Sequence, residues 1–127
     1  MQKAIMLAML LSCGTAWTSD KDDRALAVAS QCGWVRTIVL QNGQFAMQTT
    51  FATGSCWGRF AAVQDFLSAI DEKDQRPLLG VCIPNDVSRI QLIKVYVRYV
   101  DEHPEKGHLF FFPVLMESMA KAFTCAK

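Results

Sequence analysis

The order of apolar and polar positions divides the chain into helical stretches. The sharpest pattern starts at Cys56 and sets Phe60, Val63, Leu67 and Ile70 at steps of four and three, one stripe of an amphipathic helix. Ser55 is the expected N-cap of that helix. Its end is expected near Ile70, where Asp71, Glu72, Lys73, Asp74, Gln75, Arg76 and Pro77 form a charged loop. Residues 78–82 return to apolar character, and Pro84 ends them. Asn85 and Asp86 are expected to cap the next helix, whose stripe is Val87, Ile90, Ile93, Val97 and Val100. Leu92, Val95, Tyr96 and Tyr99 widen that face, as in a helix contacted on two sides. Pro104 stops it, because proline disfavours helix in the residue before it. Lys106 and Gly107 complete the turn. A last helix is expected from about residue 108 to residue 122, with Phe112, Leu115, Met119 and Phe123 on one face. Phe111 and Met116 add width, and Pro113 must fall near its first turn.

The N-terminal part is less regular. Asp22 and Asp23 precede good helix formers up to Cys32, which predicts a helix over residues 22–40. Gly33 and the β-branched Val35, Thr37, Ile38 and Val39 weaken it. The alternative is a hairpin in which residues 35–40 and 45–51 pair around Asn42 and Gly43. Residues 42–55 read mostly as loop. Together the elements predict an all-α, single-domain bundle of about four helices, with no internal repeat.

Composition changes this picture chiefly at the start of the chain. A length of 127 residues with 51% hydrophobic content allows one domain with a single modest core. Lys3, the uncharged apolar residues 4–11 and the small Ser12, Gly14 and Ala16 describe a signal peptide over residues 1–16. The apolar run is too short for a membrane span, which needs ~20 such residues. Residues 17–127 are then the mature domain, expected in the periplasm. A cut after Ala16 gives a soluble protein; alternatively Leu10, Leu11, Ser12 and Cys13 approximate a lipobox, with Cys13 as a lipid anchor. Without Lys3 the basic residues equal the 12 acidic ones, so charge gives no reason to expect nucleic acid or an anionic membrane as partner.

Of the 5 cysteines, Cys13 leaves with the signal or carries lipid, and Cys32, Cys56, Cys82 and Cys125 remain. An even number in an oxidising compartment reads as two disulfides. Spacing alone leaves all three pairings open; Cys32–Cys56 and Cys82–Cys125 is the pairing expected. Each bridge would stabilise by ~3–4 kcal/mol on the chain-entropy model. The competing chemistry is a small hydrolase using Cys56 or Cys82 with His103 or His108, which needs a free thiolate beside a base. Both histidines lie in a turn-like segment, and the structural role of the sulfurs is favoured. The same two imidazoles lack the i, i+4 spacing of a helical zinc site, and only Glu102 or Glu105 could add a ligand, so no metal or cofactor is expected. Asp71, Glu72 and Asp74 lie beside Lys73 and Arg76, where nothing apolar would raise a carboxyl pKa. There is no phosphate cradle and no nucleophile motif, so the chain reads as non-enzymatic. Trp34, Trp57, Tyr96, Tyr99, Phe110, Phe111 and Phe112 are expected mostly in the core, but the third and fourth helices carry more apolar residues than one buried face requires, and a homodimer is expected.

Cys56-Trp57-Gly58-Arg59-Phe60, then Cys82-Ile83-Pro84 and a capped helix with Gln91, then His103-Pro104-Glu105 and Ala122-Phe123-Thr124-Cys125 follow in that order. This set resembles the Tai and Rap group of immunity proteins, which protect bacteria from type VI secretion amidase effectors. The chain departs from the group's pattern at Phe60, where the aromatic is expected nearer the glycine, and at Thr124, where proline is common. The resemblance implies a periplasmic, all-helical, often dimeric protein that blocks a peptidoglycan-cleaving amidase by occupying its substrate groove. It implies no catalytic residues. The first candidate contact is the charged stretch Asp71, Glu72, Asp74, Gln75 and Arg76; the second is His103, Glu105 and His108. The alternative in another class is a periplasmic accessory protein or lipoprotein that stabilises an envelope complex.

Overall fold

Alanine and valine dominate Ala25–Gln31, and in the computed structural model this seven-residue helix, α1, is where the other helices converge. Residues 20–39, 42, 44–74 and 79–125 are described, those at 20 and 69–74 by their backbone alone. The signal segment, Cys13, Leu40, Gly43, Gln75 and Arg76 lie outside them. Three longer helices follow: α2 (Phe51–Asp74), α3 (Arg89–Glu102) and α4 (Phe111–Ala122). Short 3-10 turns at Asp20–Asp23, Gly33–Arg36 and Pro104–Lys106 complete the path. Among the described residues there is no strand; isolated bridges join Arg24 to Phe110 and Val81 to Thr124. The all-α, single-domain bundle of about four helices read from the sequence is the fold observed.

Small side chains let α1 approach its neighbours closely. Ala25, Val28, Ala29 and Cys32 are buried, and Cys32 bonds to Cys56 of α2 with the two Cα atoms 5.3 Å apart. Cys82 bonds to Cys125, Cα to Cα 4.9 Å, joining the chain before α3 to the chain after α4. Both expected pairings are therefore present. Phe60 of α2, Tyr96 of α3 and Phe111 of α4 meet edge to face at the centre, with ring centroids 5.2–5.8 Å apart. The Tyr96 hydroxyl donates to the Ala25 carbonyl at 2.8 Å, which ties α1 to this cluster. Burial pushes the Tyr96 phenol well above its ordinary pKa.

Four local expectations are corrected. The helix expected over residues 22–40 stops at Gln31, because Gly33 and the β-branched residues after it turn the chain into a 3-10 turn; the alternative hairpin is not formed in the described residues either. α2 begins at Phe51, five residues before Cys56, so Ser55 lies inside it. Its start is fixed by Thr50 and Thr53, each side-chain oxygen accepting from the other's backbone N–H at 3.2 and 3.0 Å, a reciprocal cap. α3 is capped by Ser88 rather than by Asn85 and Asp86: Ser88 Oγ accepts from Gln91 N–H, and the Gln91 side chain accepts from Ser88 N–H. On α4 the buried face is Phe111, Val114, Leu115, Met116, Ser118 and Met119, and Phe112 points outward. Pro113 falls in the first turn of α4, where its missing N–H breaks no helical bond.

Candidate functional site

The first candidate site changes character in the structure. α2 continues as helix through Asp74, so Asp71, Glu72 and Asp74 belong to its final turn and not to a loop. Gln75 and Arg76 lie outside the described residues. Carboxylates at a helix C-terminus face the negative end of the macrodipole, an arrangement that isolated helices disfavour by ~0.3–1 kcal/mol per charge. Lys73 offsets part of that charge.

The second candidate is a locked turn. The first two N–H groups of α1 have no side-chain cap; those of Ala25 and Leu26 donate instead to the Leu109 and Gly107 carbonyls at 2.8 and 3.0 Å. Gly107 is needed for that approach, since a Cβ there would stand 3.1 Å from Leu26 Cβ and 3.3 Å from the Pro104 carbonyl oxygen. The His103 ring stacks on Tyr99 with centroids 4.1 Å apart, and its Nδ1 lies 2.9 Å from the Tyr99 carbonyl oxygen. Lys106 pairs with Glu117 of α4, and Lys121 also reaches Tyr99, donating to its hydroxyl at 3.2 Å. His108 is exposed, and its carbonyl accepts from Arg24 at 3.0 Å. Glu105 is exposed on the outside of the turn. The structure thus gathers His103, Glu105 and His108 in one rigid turn and holds Asp71, Glu72 and Asp74 together on a separate helix end. Among the described residues, no cluster of three His, Cys, Asp or Glu could hold a metal ion. Cys56 and Cys82 are both in disulfides, so neither is the free thiolate that a hydrolase would require.

Two further surfaces were not evident from the sequence. Phe66 of α2 and Phe112 of α4 meet edge to face at 6.4 Å while remaining 47% and 43% exposed. Phe110 is also exposed, with the Arg24 guanidinium 4.3 Å over its ring. The second surface is a groove of about 730 Å³ between Trp34, Ile38, Phe45 and Gln48. Phe45 stacks on Trp34 at 6.2 Å and tilts against Trp57 at 5.6 Å, while Arg89 lies 4.6 Å over Trp57. The only signal for either surface was the surplus of aromatic residues. Their partners are too distant in sequence for any periodicity to join them.

A bridged helical scaffold whose distinctive features are surfaces, a charged helix end and a locked turn defines a binding domain. No helix among the described residues is long and apolar enough to cross a membrane. The sequence profile of the Rap1a immunity proteins matches residues 27–125, and the chain belongs to that family. No curated protein and no solved structure gives a significant match to it.

Proposed function

We propose that this immunity protein acts in the periplasm, where it binds a peptidoglycan amidase delivered by type VI secretion and blocks the enzyme's substrate groove. The observation that carries the reading is the match to the Rap1a immunity proteins across nearly the whole disulfide-bonded body. A scaffold closed by two bridges presents its surface with little ordering cost, so more of the contact energy becomes affinity. The end of α2 is the proposed contact. Asp71, Glu72 and Asp74 sit where the helix itself disfavours negative charge, and a cationic groove rim on the enzyme would relieve that repulsion. Gln75 and Arg76 would extend this contact, and His103, Glu105 and His108 form the second candidate. The exposed Phe66, Phe110 and Phe112 suit the self-association face of a homodimer.

The test is binding of the full bridged protein to purified type VI amidase effectors. Reversing charge at Asp71, Glu72 and Asp74 together should weaken the complex by roughly a hundredfold or more, mostly through faster dissociation. An unchanged Kd would remove the α2 end as the contact, and parallel reversal at Glu105 would then test the turn.

A further inference from the structure

The two disulfides sit in opposite surroundings. Cys32 and Cys56 are both 0% exposed and belong to the hydrophobic core where α1 meets α2. Cys82 is exposed and Cys125 is half-buried, outside the helices, with their bridge spanning the end of the described chain and the segment before α3. Around this outer bridge the backbone is held by one bond from Cys82 N–H to the Phe123 carbonyl at 2.8 Å and by the bridge between Val81 and Thr124. Just before it, Leu79 and Gly80 take left-handed backbone angles, φ 52° and 77°. Glycine adopts that region freely, whereas Leu79 stores strain there.

From these observations we infer that Cys82–Cys125 is a redox-sensitive latch, opened by a dithiol reductant while Cys32–Cys56 stays closed. One thiolate of the dithiol attacks Cys82 Sγ, forming a mixed disulfide. The bond to Cys125 breaks, and Cys125 leaves as a thiolate that takes up a proton. The second thiolate of the dithiol then attacks the sulfur it shares with Cys82 through the mixed disulfide, closing the dithiol's own ring disulfide. Cys82 is released and protonated, and two electrons have passed from the dithiol to the protein. Exchange of this kind is governed by access to the attacked sulfur. The inner bridge offers none until the core opens, which happens only through sub-global or global unfolding. Opening the latch separates residues 79–83 from residues 123–125, and the helices stay packed through the ring cluster and the inner bridge. The latch lies between α2 and the cap of α3, so its state sets how firmly residues 79–83 are held.

The experiment uses the full bridged chain under native conditions. It is treated with dithiothreitol, sampled over time into an alkylating reagent and mapped by mass. Label should enter Cys82 and Cys125 at least about tenfold faster than Cys32 and Cys56, since only the outer sulfurs are reachable. Helix signal should persist, with faster amide exchange confined to the neighbourhood of Cys82 and residues 123–125. Simultaneous labelling of all four cysteines, earlier labelling of Cys32 and Cys56, or loss of helix signal in step with the outer label would overturn the latch. A C82S/C125S double variant should fold and show the same local exchange. Its failure to fold, or full protection around residue 82, would count equally against the inference.

Discussion

Helices α2 and α3 pack against the same core by different means. α3 has 14 residues and buries Ile90, Leu92, Ile93, Tyr96, Val97, Tyr99 and Val100, a stripe that runs its whole length. α2 has 24 residues, and at 1.5 Å per residue extends about 36 Å. Among its residues with described side chains, the buried ones are Thr53, Cys56, Phe60 and Val63, with Leu67 packed in part. α3 is thus held by many contacts of similar size. α2 is held by a disulfide at Cys56 and the large ring of Phe60, and its backbone runs on as helix past those anchors through Asp74. A few strong anchors and many contacts of similar size are thus two ways of holding a helix against the same core.

The difference is broken most directly at Phe60. This ring is fully buried against Tyr96 and Phe111. Phe60→Ala should cost about 3–5 kcal/mol, through lost burial and the cavity left behind. It should also loosen α2 ahead of α3. Denaturant unfolding gives the total, and residue-resolved hydrogen exchange gives the order. Uniform loosening of both helices would erase the distinction between them.

Next in size is the tie between α3 and α1. Tyr96→Phe keeps the ring but removes the hydroxyl that donates to the Ala25 carbonyl, taking one partner from a buried acceptor. The expected loss is about 1–2 kcal/mol, read from the shift in Tm or in the denaturant midpoint. A change within error would mean that α3 holds α1 through apolar contact alone.

How much of this was legible in the sequence follows the same division. α3 could be read almost residue by residue, because stripe, stop and turn are local and agree with one another. Its cap is the exception: Asn85 and Asp86 are cap-forming types just upstream, and the box that forms is Ser88 with Gln91. The two pairings emerged as expected, although spacing could not choose them. α2 was harder. Its start depends on Thr50 and Thr53, types that read as loop, and its extension through Asp74 runs against the charge preference of a helix end. The charged stretch was visible as a cluster of residue types, but not as the end of a helix. Leu115 and Met119 are buried as the stripe predicts, but at the start of α4 it is Phe111 that faces the core, and Phe112 turns outward to meet Phe66. The groove beside Trp34 rests wholly on tertiary packing of residues 34–48 against Trp57.

Capping gives a smaller test of why α3 is so regular. Ser88→Ala removes the acceptor for Gln91 N–H and should destabilise by about 1 kcal/mol. Restoring a capping residue with Ser88→Thr should recover most of it. If both variants unfold alike, the box contributes nothing and the stripe alone sets the start of α3.

The smallest effect concerns the far end of α3, where the turn is tied to α4 by Lys106 and Glu117. The hydrogen bond from Lys106 holds the Glu117 carboxyl below its ordinary 4.5, and the same bond holds the Lys106 ammonium above its ordinary 10.5. A depressed carboxyl pKa means that the contribution is present above about 4.5 and lost as pH falls through the lower, folded value. A raised ammonium pKa means that the contribution is present below 10.5 and lost as pH rises through the higher, folded value. Both groups are solvent-accessible, so screening leaves the pair only a small contribution, as for other exposed ion pairs. Glu117→Gln should therefore leave stability near neutral pH almost unchanged while flattening part of the decline below pH 4.5. Thermal unfolding across the acid range, at low and high salt, reads this directly. An acid limb identical to that of the unaltered protein would show that the backbone bonds from α1, and not this ion pair, hold the turn in place.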